Sequence, residues 1–208
     1  MSRVIKNWIR NSVPERVKNF LAYSDEIEYG QLSFSQFGED MVLKNFFFNR
    51  PTGFYIDIGA HHPVKCSNTY YFYKQGWSGI AIDPLPGFKS LFAKRRPRDI
   101  TLELGVAETP GVIDYFCFQQ PLENTFSAEK AQQKIDQKLN SLKEIVKVKV
   151  CPLEEILDQY LPPNTKIDLL SIDVEGYDLS VLRSNNWQKY LPAVIVAEHL
   201  NMDLDIIG

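Results

Sequence analysis

Two short apolar runs, each associated with an acidic residue at its end, constrain the fold of this chain most strongly. The first lies within residues 54–62, with Gly59 in the turn after it, and the second covers residues 79–83. Such runs are typical of strands that are buried on both faces of a parallel sheet. The segment 68–75 between them is long enough for one crossover helix, so the sequence predicts a β-α-β unit.

The glycine turn and the second acidic residue of this unit predict a nucleoside-containing cofactor. Asp83 lies 24 residues after Gly59, as in sites where a glycine turn admits a nucleotide and a carboxylate one crossover later receives the ribose hydroxyls. A dinucleotide site needs a G-x-G-x-x-G run, but no glycine lies between Gly59 and Gly76, and Pro63 removes one N–H donor. S-adenosylmethionine carries no phosphate, so the turn favours it as the cofactor. An NAD-dependent oxidoreductase is the less favoured alternative.

Composition indicates an ordinary globular domain. The 208 residues are 44% hydrophobic and carry a net charge of −3, which gives no electrostatic case for nucleic acid. The three cysteines lack the spacing of a disulfide frame or a zinc site and are typical of a reducing compartment. No apolar run approaches the ~20 residues of a membrane span, and the N-terminus lacks the apolar region of a secretory signal. We therefore expect a cytoplasmic protein.

The sequence divides into an N-terminal segment, residues 1–32, and a core domain, residues 33–208. Residues 1–22 carry five basic residues against one acidic residue, with apolar residues at roughly helical spacing. We expect this basic amphipathic segment to pack on the domain. Peripheral contact with an anionic membrane surface is the alternative.

From residue 40 onward, strand-like and helix-like segments alternate, which predicts a mostly parallel, doubly wound sheet with helices on both faces. Gly111 predicts a hairpin between the third and fourth strands. The polar segment 128–142 predicts a solvated helix on an insertion, as part of a lid. The predicted strands are 54–58, 79–83, 100–104, 112–118, 145–150, 167–172 and 193–198. The predicted helices are 40–48, 67–74, 87–95, 128–142, 153–160 and 177–183.

Acidic residues and histidines collect at the carboxyl ends of these strands, where ligands bind in such sheets. Asp173 and Glu175 end the strand 167–172 and would point to the same side if the strand conformation persisted. Such a pair suits a general base, a clamp for a substrate hydroxyl or half of a divalent-metal site, unless one of the two caps the following helix. His61 is a candidate cofactor contact. His199, after the last predicted strand, is a candidate general base.

Six short motifs also occur in order along the chain. They are Ser35-Gln-Phe-Gly-Glu-Asp40, Asp57-Ile-Gly-Ala60, Ser67-Asn-Thr69, Gly76-Trp-Ser-Gly79, Ile82-Asp-Pro84 and Ile172-Asp-Val-Glu-Gly176. With these motifs, residues 33 to about 200 resemble the FkbM family of S-adenosylmethionine-dependent methyltransferases. The resemblance implies a Rossmann-like class I methyltransferase fold. It also implies O-methylation of a hydroxyl on a small-molecule acceptor, either a sugar or polysaccharide or a natural product.

The resemblance implies roles for individual residues as well. Asp57 and Gly59 would form the cofactor turn, and Asp83 would contact the ribose. Gln36 and Asn68 would lie near the methionine part of the cofactor. Asp173 and Glu175 would lie at the substrate edge, where a substrate oxygen attacks the methyl carbon.

The end of the chain departs from the family's pattern. The class I fold usually continues with two further strands, whereas this chain stops ten residues after Glu198. We therefore expect a sheet that lacks its C-terminal strands. A non-catalytic or truncated cofactor-binding partner protein is the alternative function that this departure leaves open.

Overall fold

Eight strands form two sheets in the structure, which is a computed structural model that describes residues 31–197. The strands are β1 (Phe54–Ile58), β2 (Ser78–Ile82), β3 (Ile100–Leu102), β4 (Gly105–Val106), β5 (Gly111–Phe118), β6 (Leu142–Cys151), β7 (Leu169–Ile172) and β8 (Val194–Ala197). The central sheet has the order β3-β2-β1-β7-β8, and each neighbouring pair is parallel. The parallel α/β sheet predicted from the sequence is therefore confirmed.

Helices cover both faces of the central sheet because its strands alternate between two apolar surfaces. The helices are α1 (Glu39–Phe46), α2 (Tyr70–Lys74), α3 (Phe88–Arg95), α4 (Ala128–Asp136), α5 (Leu153–Tyr160) and α6 (Asp178–Arg183), with a 3-10 helix at Pro121–Glu123. In β1, Ile56 and Ile58 join the core cluster that includes residues of α5 and α6. Tyr55 joins the cluster that includes residues of α1 and α2, so the predicted layering is also confirmed.

The strand order reverses between β1 and β7, and this is where ligands bind in open parallel sheets. The chain runs from β1 outward to β3 and later returns to place β7 on the other side of β1. Asp173 N donates to Ile58 O at 2.9 Å just beyond this pair. Gly59 has φ +80, and a Cβ atom on it would lie 1.8 Å from the carbonyl oxygen of Asp173. The turn after β1 therefore requires glycine for both backbone conformation and space.

The second sheet has the order β4-β6-β5. β5 runs antiparallel to β6 from Gly111 to Phe118, so the predicted hairpin between the third and fourth strands is wrong. The partner of β5 follows it in the chain, after the connecting residues 119–141, which we call the β5–β6 segment. The predicted helix 128–142 also ends earlier, at Asp136, because Lys138 has φ +54 and Leu142 begins β6.

Several predictions concern residues outside the described range. These are the amphipathic segment 1–22, the candidate base His199 and the early end of the sheet, and they stay predictions. The same holds for the boundary between residues 1–32 and 33–208, although the described residues from Phe34 onward belong to one compact unit. Within residues 31–197, no helix is long and apolar enough to cross a membrane.

Candidate functional site

A cleft lies at the carboxyl ends of β1, β2 and β7, beside the point where the strand order reverses. Five side chains or turns that the sequence singled out line it together, namely Gly59, His61, Asp83, Asp173 and Glu175. The other lining residues are Cys66, Pro84, Tyr115, Pro121, Leu122, Asn124, Phe126 and Val174. Thus one wall consists of the strand ends, and the facing wall consists of β5 and the β5–β6 segment.

Asp83 is a buried carboxylate at the end of β2, with 4% of its surface exposed. Its Oδ2 accepts the N–H of His61 and its Oδ1 accepts the N–H of Leu85, each at 2.8 Å. Burial raises the pKa of Asp83 to about 6, although the two backbone N–H groups act in the opposite direction. Burying a charged carboxylate costs free energy, so one that nevertheless lines a cleft is a candidate binding group for ligand hydroxyls.

The two histidines after the glycine turn take different positions. His61 lines the cleft, with its backbone at φ +44, and burial lowers the pKa of its imidazole, with a further contribution from His62. The His61 side chain is therefore neutral at pH 7. His62 Nδ1 accepts the N–H groups of Val64 and Lys65, each at 3.0 Å, so this ring stabilises the turn instead.

Asp173 and Glu175 follow β7, but the strand ends at Ile172 and Glu175 has φ +50. Extended strand geometry therefore does not hold at these two residues, and it does not point both side chains the same way. A cation also intervenes, since Glu175 Oε2 accepts from Lys134 Nζ at 2.9 Å. The sequence offered no signal for this pair, because Lys134 lies 41 residues away in the β5–β6 segment. In the described part of the chain, no three His, Cys, Asp or Glu side chains come together as metal ligands would.

Asp57 and Asn68 do not line the cleft. Asp57 is 5% exposed and accepts from the hydroxyl of Thr69, and burial raises the pKa of its carboxyl while Arg96 opposes that shift. Asn68 Nδ2 donates to Ser171 Oγ at 3.1 Å. Since Asp57 and Ser171 are direct neighbours across β1 and β7, both side chains support the sheet beneath the Gly59 turn.

Gln36 also lies away from the lining of the cleft and is exposed. Its turn is held by the buried Asp40, which accepts from Phe34 N at 2.7 Å and from Ser35 Oγ at 2.8 Å. Phe34 O accepts the N–H of Ser67 at 2.8 Å. The motif that contains Gln36 therefore sits beside the Ser67-Asn-Thr69 motif, and the cofactor contacts expected of Gln36 and Asn68 stay predictions.

Arg96 organises a buried polar network behind the glycine turn that sequence reasoning missed. It is fully buried and donates to Asp99 Oδ2 at 2.7 Å, to Tyr55 Oη at 2.7 Å and to Thr69 Oγ1 at 2.9 Å. Its guanidinium lies 5.1–5.2 Å from the ring centroids of Tyr55, Tyr73 and Phe92. Through Thr69 the network reaches Asp57, so it links β1 to the start of α2.

Tyr115 and Phe126 form an aromatic wall of the cleft that sequence reasoning also missed. Their ring centroids are 4.7 Å apart, and Tyr115 is 6% exposed. Burial raises the pKa of Tyr115 well above its ordinary value, so its hydroxyl stays protonated at neutral pH and can donate. Asn124 accepts the N–H of Phe118 at 2.8 Å and fixes the chain between these two rings.

A sequence model of the Methyltransferase FkbM domain matches residues 57–205, which is more than half of the 208 residues. The matched region begins within β1 and contains every residue that lines the cleft. Searches of curated proteins and of solved structures gave no match to the chain. The family match shows which family the chain belongs to, and the cleft shows where its candidate site lies.

Proposed function

Because the chain belongs to the FkbM methyltransferase family, we propose that it is an S-adenosylmethionine-dependent O-methyltransferase that acts on a hydroxyl of a sugar, polysaccharide or natural product. The observation that carries the proposal is the buried Asp83 carboxylate in the lining of the cleft, one crossover after the Gly59 turn. Ribose hydroxyls are the ligand groups that such a carboxylate receives in nucleoside sites of this sheet type.

The cleft residues fit S-adenosylmethionine. Each Asp83 oxygen accepts one backbone N–H and keeps a second lone pair, so the carboxylate can also accept from two neighbouring ribose hydroxyls. The turn after β1 has one glycine and a proline and suits a pyrophosphate poorly, which supports this cofactor over NAD. When bound, S-adenosylmethionine supplies a methyl group on a sulfonium centre that is already electrophilic.

In such a reaction the chain mainly aligns the two reactants, and alignment lowers the activation barrier by ~7–11 kcal/mol in favourable cases. Asp173 and Glu175 lie on the turn after β7 and line the cleft, where a carboxylate can accept the proton of an acceptor hydroxyl. A positioned base raises the reaction rate by a further factor of about 10²–10⁴. We assign this step to the Asp173–Glu175 turn. His199 is a second candidate base, outside the described residues.

The walls of the cleft support a carbohydrate acceptor. Aromatic rings such as those of Tyr115 and Phe126 pack against the C–H faces of a sugar ring, while carboxylates accept from its hydroxyls. Both kinds of group line the same cleft. Asp173 and Glu175 lie on the wall of strand ends, and the two rings lie on the facing wall.

Methyl transfer from labelled S-adenosylmethionine to a panel of sugars and phenolic natural products tests the proposal. We expect label on an acceptor oxygen, located by NMR, and strongly reduced transfer by Asp83→Asn under the same conditions. Lys147→Met, which removes an exposed cation paired with Asp114, is the matched control and should transfer normally. Label on a nitrogen or carbon atom would contradict O-methylation. Cofactor binding without transfer to any acceptor class would favour the non-catalytic alternative.

A further inference from the structure

The cleft is small. Its free volume is about 40 Å³, which holds a few water molecules, whereas sites for small-molecule ligands measure ~300–1,000 Å³. Pro121, Leu122 and Asn124 of the β5–β6 segment form part of its lining, and Leu122 is 44% exposed. A nucleoside therefore needs more room than the cleft offers in this structure, and a movement of this segment would provide it.

One lysine ties this segment to the opposite wall. Lys134 of α4 donates to Glu175 Oε2 at 2.9 Å and to Glu123 O at 3.0 Å. It thereby joins α4, the 3-10 helix and the turn after β7. The side chains of Lys134 and Glu175 are 14% and 23% exposed, so water screens their attraction less than that of a surface pair.

Lys130 of α4 also lies against the turn after β7, at Gly176, and its charge acts on Asp178. Thr125 Oγ1 donates to Glu175 O at 2.9 Å, and the Phe126 and Tyr177 rings lie 5.6 Å apart. At the base of the segment, the pairing of β5 with β6 shifts register between Cys117 and Phe118. Such an irregularity weakens the ladder locally and lets a strand bend. The end of β5 can therefore move together with the segment, to which Phe116 is joined by two backbone hydrogen bonds with Thr125.

We propose that the β5–β6 segment is a lid over the cofactor cleft and that Lys134 is the latch that holds it closed on Glu175. The proposal rests on the proposed function, because it takes the cleft as the cofactor site. Lys134 is then a positioning residue: in the closed state it orients the Glu175 carboxylate, and cofactor entry and release require the Lys134–Glu175 pair to separate.

Lys134→Met tests the latch, because it keeps the aliphatic stem and removes the charge. An ion pair of this exposure stabilises by about 1 kcal/mol, which corresponds to about a fivefold change in lid opening. We expect association and dissociation rates of S-adenosylhomocysteine in stopped-flow fluorescence to rise about fivefold each, with little change in Kd. Lys134→Arg should restore slow exchange, and Lys147→Met, the matched control in β6, should leave both rates unchanged.

Hydrogen exchange without any cofactor provides a second measurement. Amide exchange within residues 119–141 should accelerate in Lys134→Met and stay unchanged in Lys147→Met. Unchanged exchange and unchanged rates in a variant that still binds S-adenosylhomocysteine would overturn the latch. If no variant bound S-adenosylhomocysteine but exchange were still faster in Lys134→Met, the result would contradict the cofactor assignment and support the lid.

Discussion

Replacing Asp83 with asparagine separates the role of this carboxylate in cofactor binding from its effect on stability. Asp83 is 4% exposed, and burial raises its pKa to about 6, against about 3.9 in an unfolded chain. Asparagine has the same shape and no charge, so it removes the cost of burying an ion. It keeps one acceptor oxygen for the N–H groups of His61 and Leu85, and the lost acceptor costs about 1–3 kcal/mol.

The raised pKa fixes the sign of the pH dependence. Between roughly pH 4 and pH 6, the folded state holds a proton at Asp83 that the unfolded state has released, so stability falls as the pH rises through this window. The proton held at Asp83 contributes about 3 kcal/mol to the free energy of unfolding. This contribution is fully present below about pH 4 and is lost above about pH 6. The free energy of unfolding of Asp83→Asn, relative to that of the natural chain, should therefore rise by about 3 kcal/mol from pH 4 to pH 7.

Urea unfolding of both proteins across this pH range measures the difference, and calorimetric titration of S-adenosylhomocysteine measures the affinity. We expect the variant to be no less stable than the natural chain at pH 7 and to bind about 10- to 100-fold more weakly, because hydrogen bonds to a charged group contribute about 1.5–3 kcal/mol. A stability difference that does not change with pH would refute the reasoning about the buried ion. Unchanged affinity would remove the ribose assignment.

Three further variants test other parts of the account. Gly59→Ala places a Cβ atom 1.8 Å from Asp173 O at a positive φ. It should destabilise the chain by more than the ~1–3 kcal/mol of backbone strain alone and abolish cofactor binding. Normal binding in calorimetry would contradict the close approach. Glu175→Gln should lower turnover by up to about 10²–10⁴-fold with little change in cofactor affinity, and intact turnover would dismiss its role. Arg96→Met leaves Asp99 as a buried unpaired charge, which should cost about 3–5 kcal/mol in urea unfolding; a loss below about 1 kcal/mol would contradict the network.

The elements of the central sheet could be predicted from the sequence because their signals are local. The run Phe54–Ile58 is apolar apart from Asp57 and has turn residues beside it, and the structure gives it the predicted bounds. The helix Leu153–Tyr160 also has its predicted bounds, since its apolar residues recur at helical spacing. Gly59 and Asp83 were recognisable for the same reason, because each ends an apolar run.

Features that depend on distant partners could not be predicted. β5 pairs with β6 rather than with the strand before it, and both faces of this pair are too mixed in polarity to identify the partner. The polar sequence of residues 137–144 suits a solvated helix and an exposed strand equally, so the predicted helix was too long. Arg96 and Lys134 belong to no local motif, and only the fold brings them to Thr69 and Glu175.

Calorimetric titration of S-adenosylmethionine and, separately, S-adenosylhomocysteine into the folded chain, with NAD as the control ligand, tests the central claim most directly. We expect both sulfur nucleosides to bind with dissociation constants in the micromolar range, and we expect NAD not to bind. A folded sample that binds NAD, or that binds neither sulfur nucleoside, would contradict this claim.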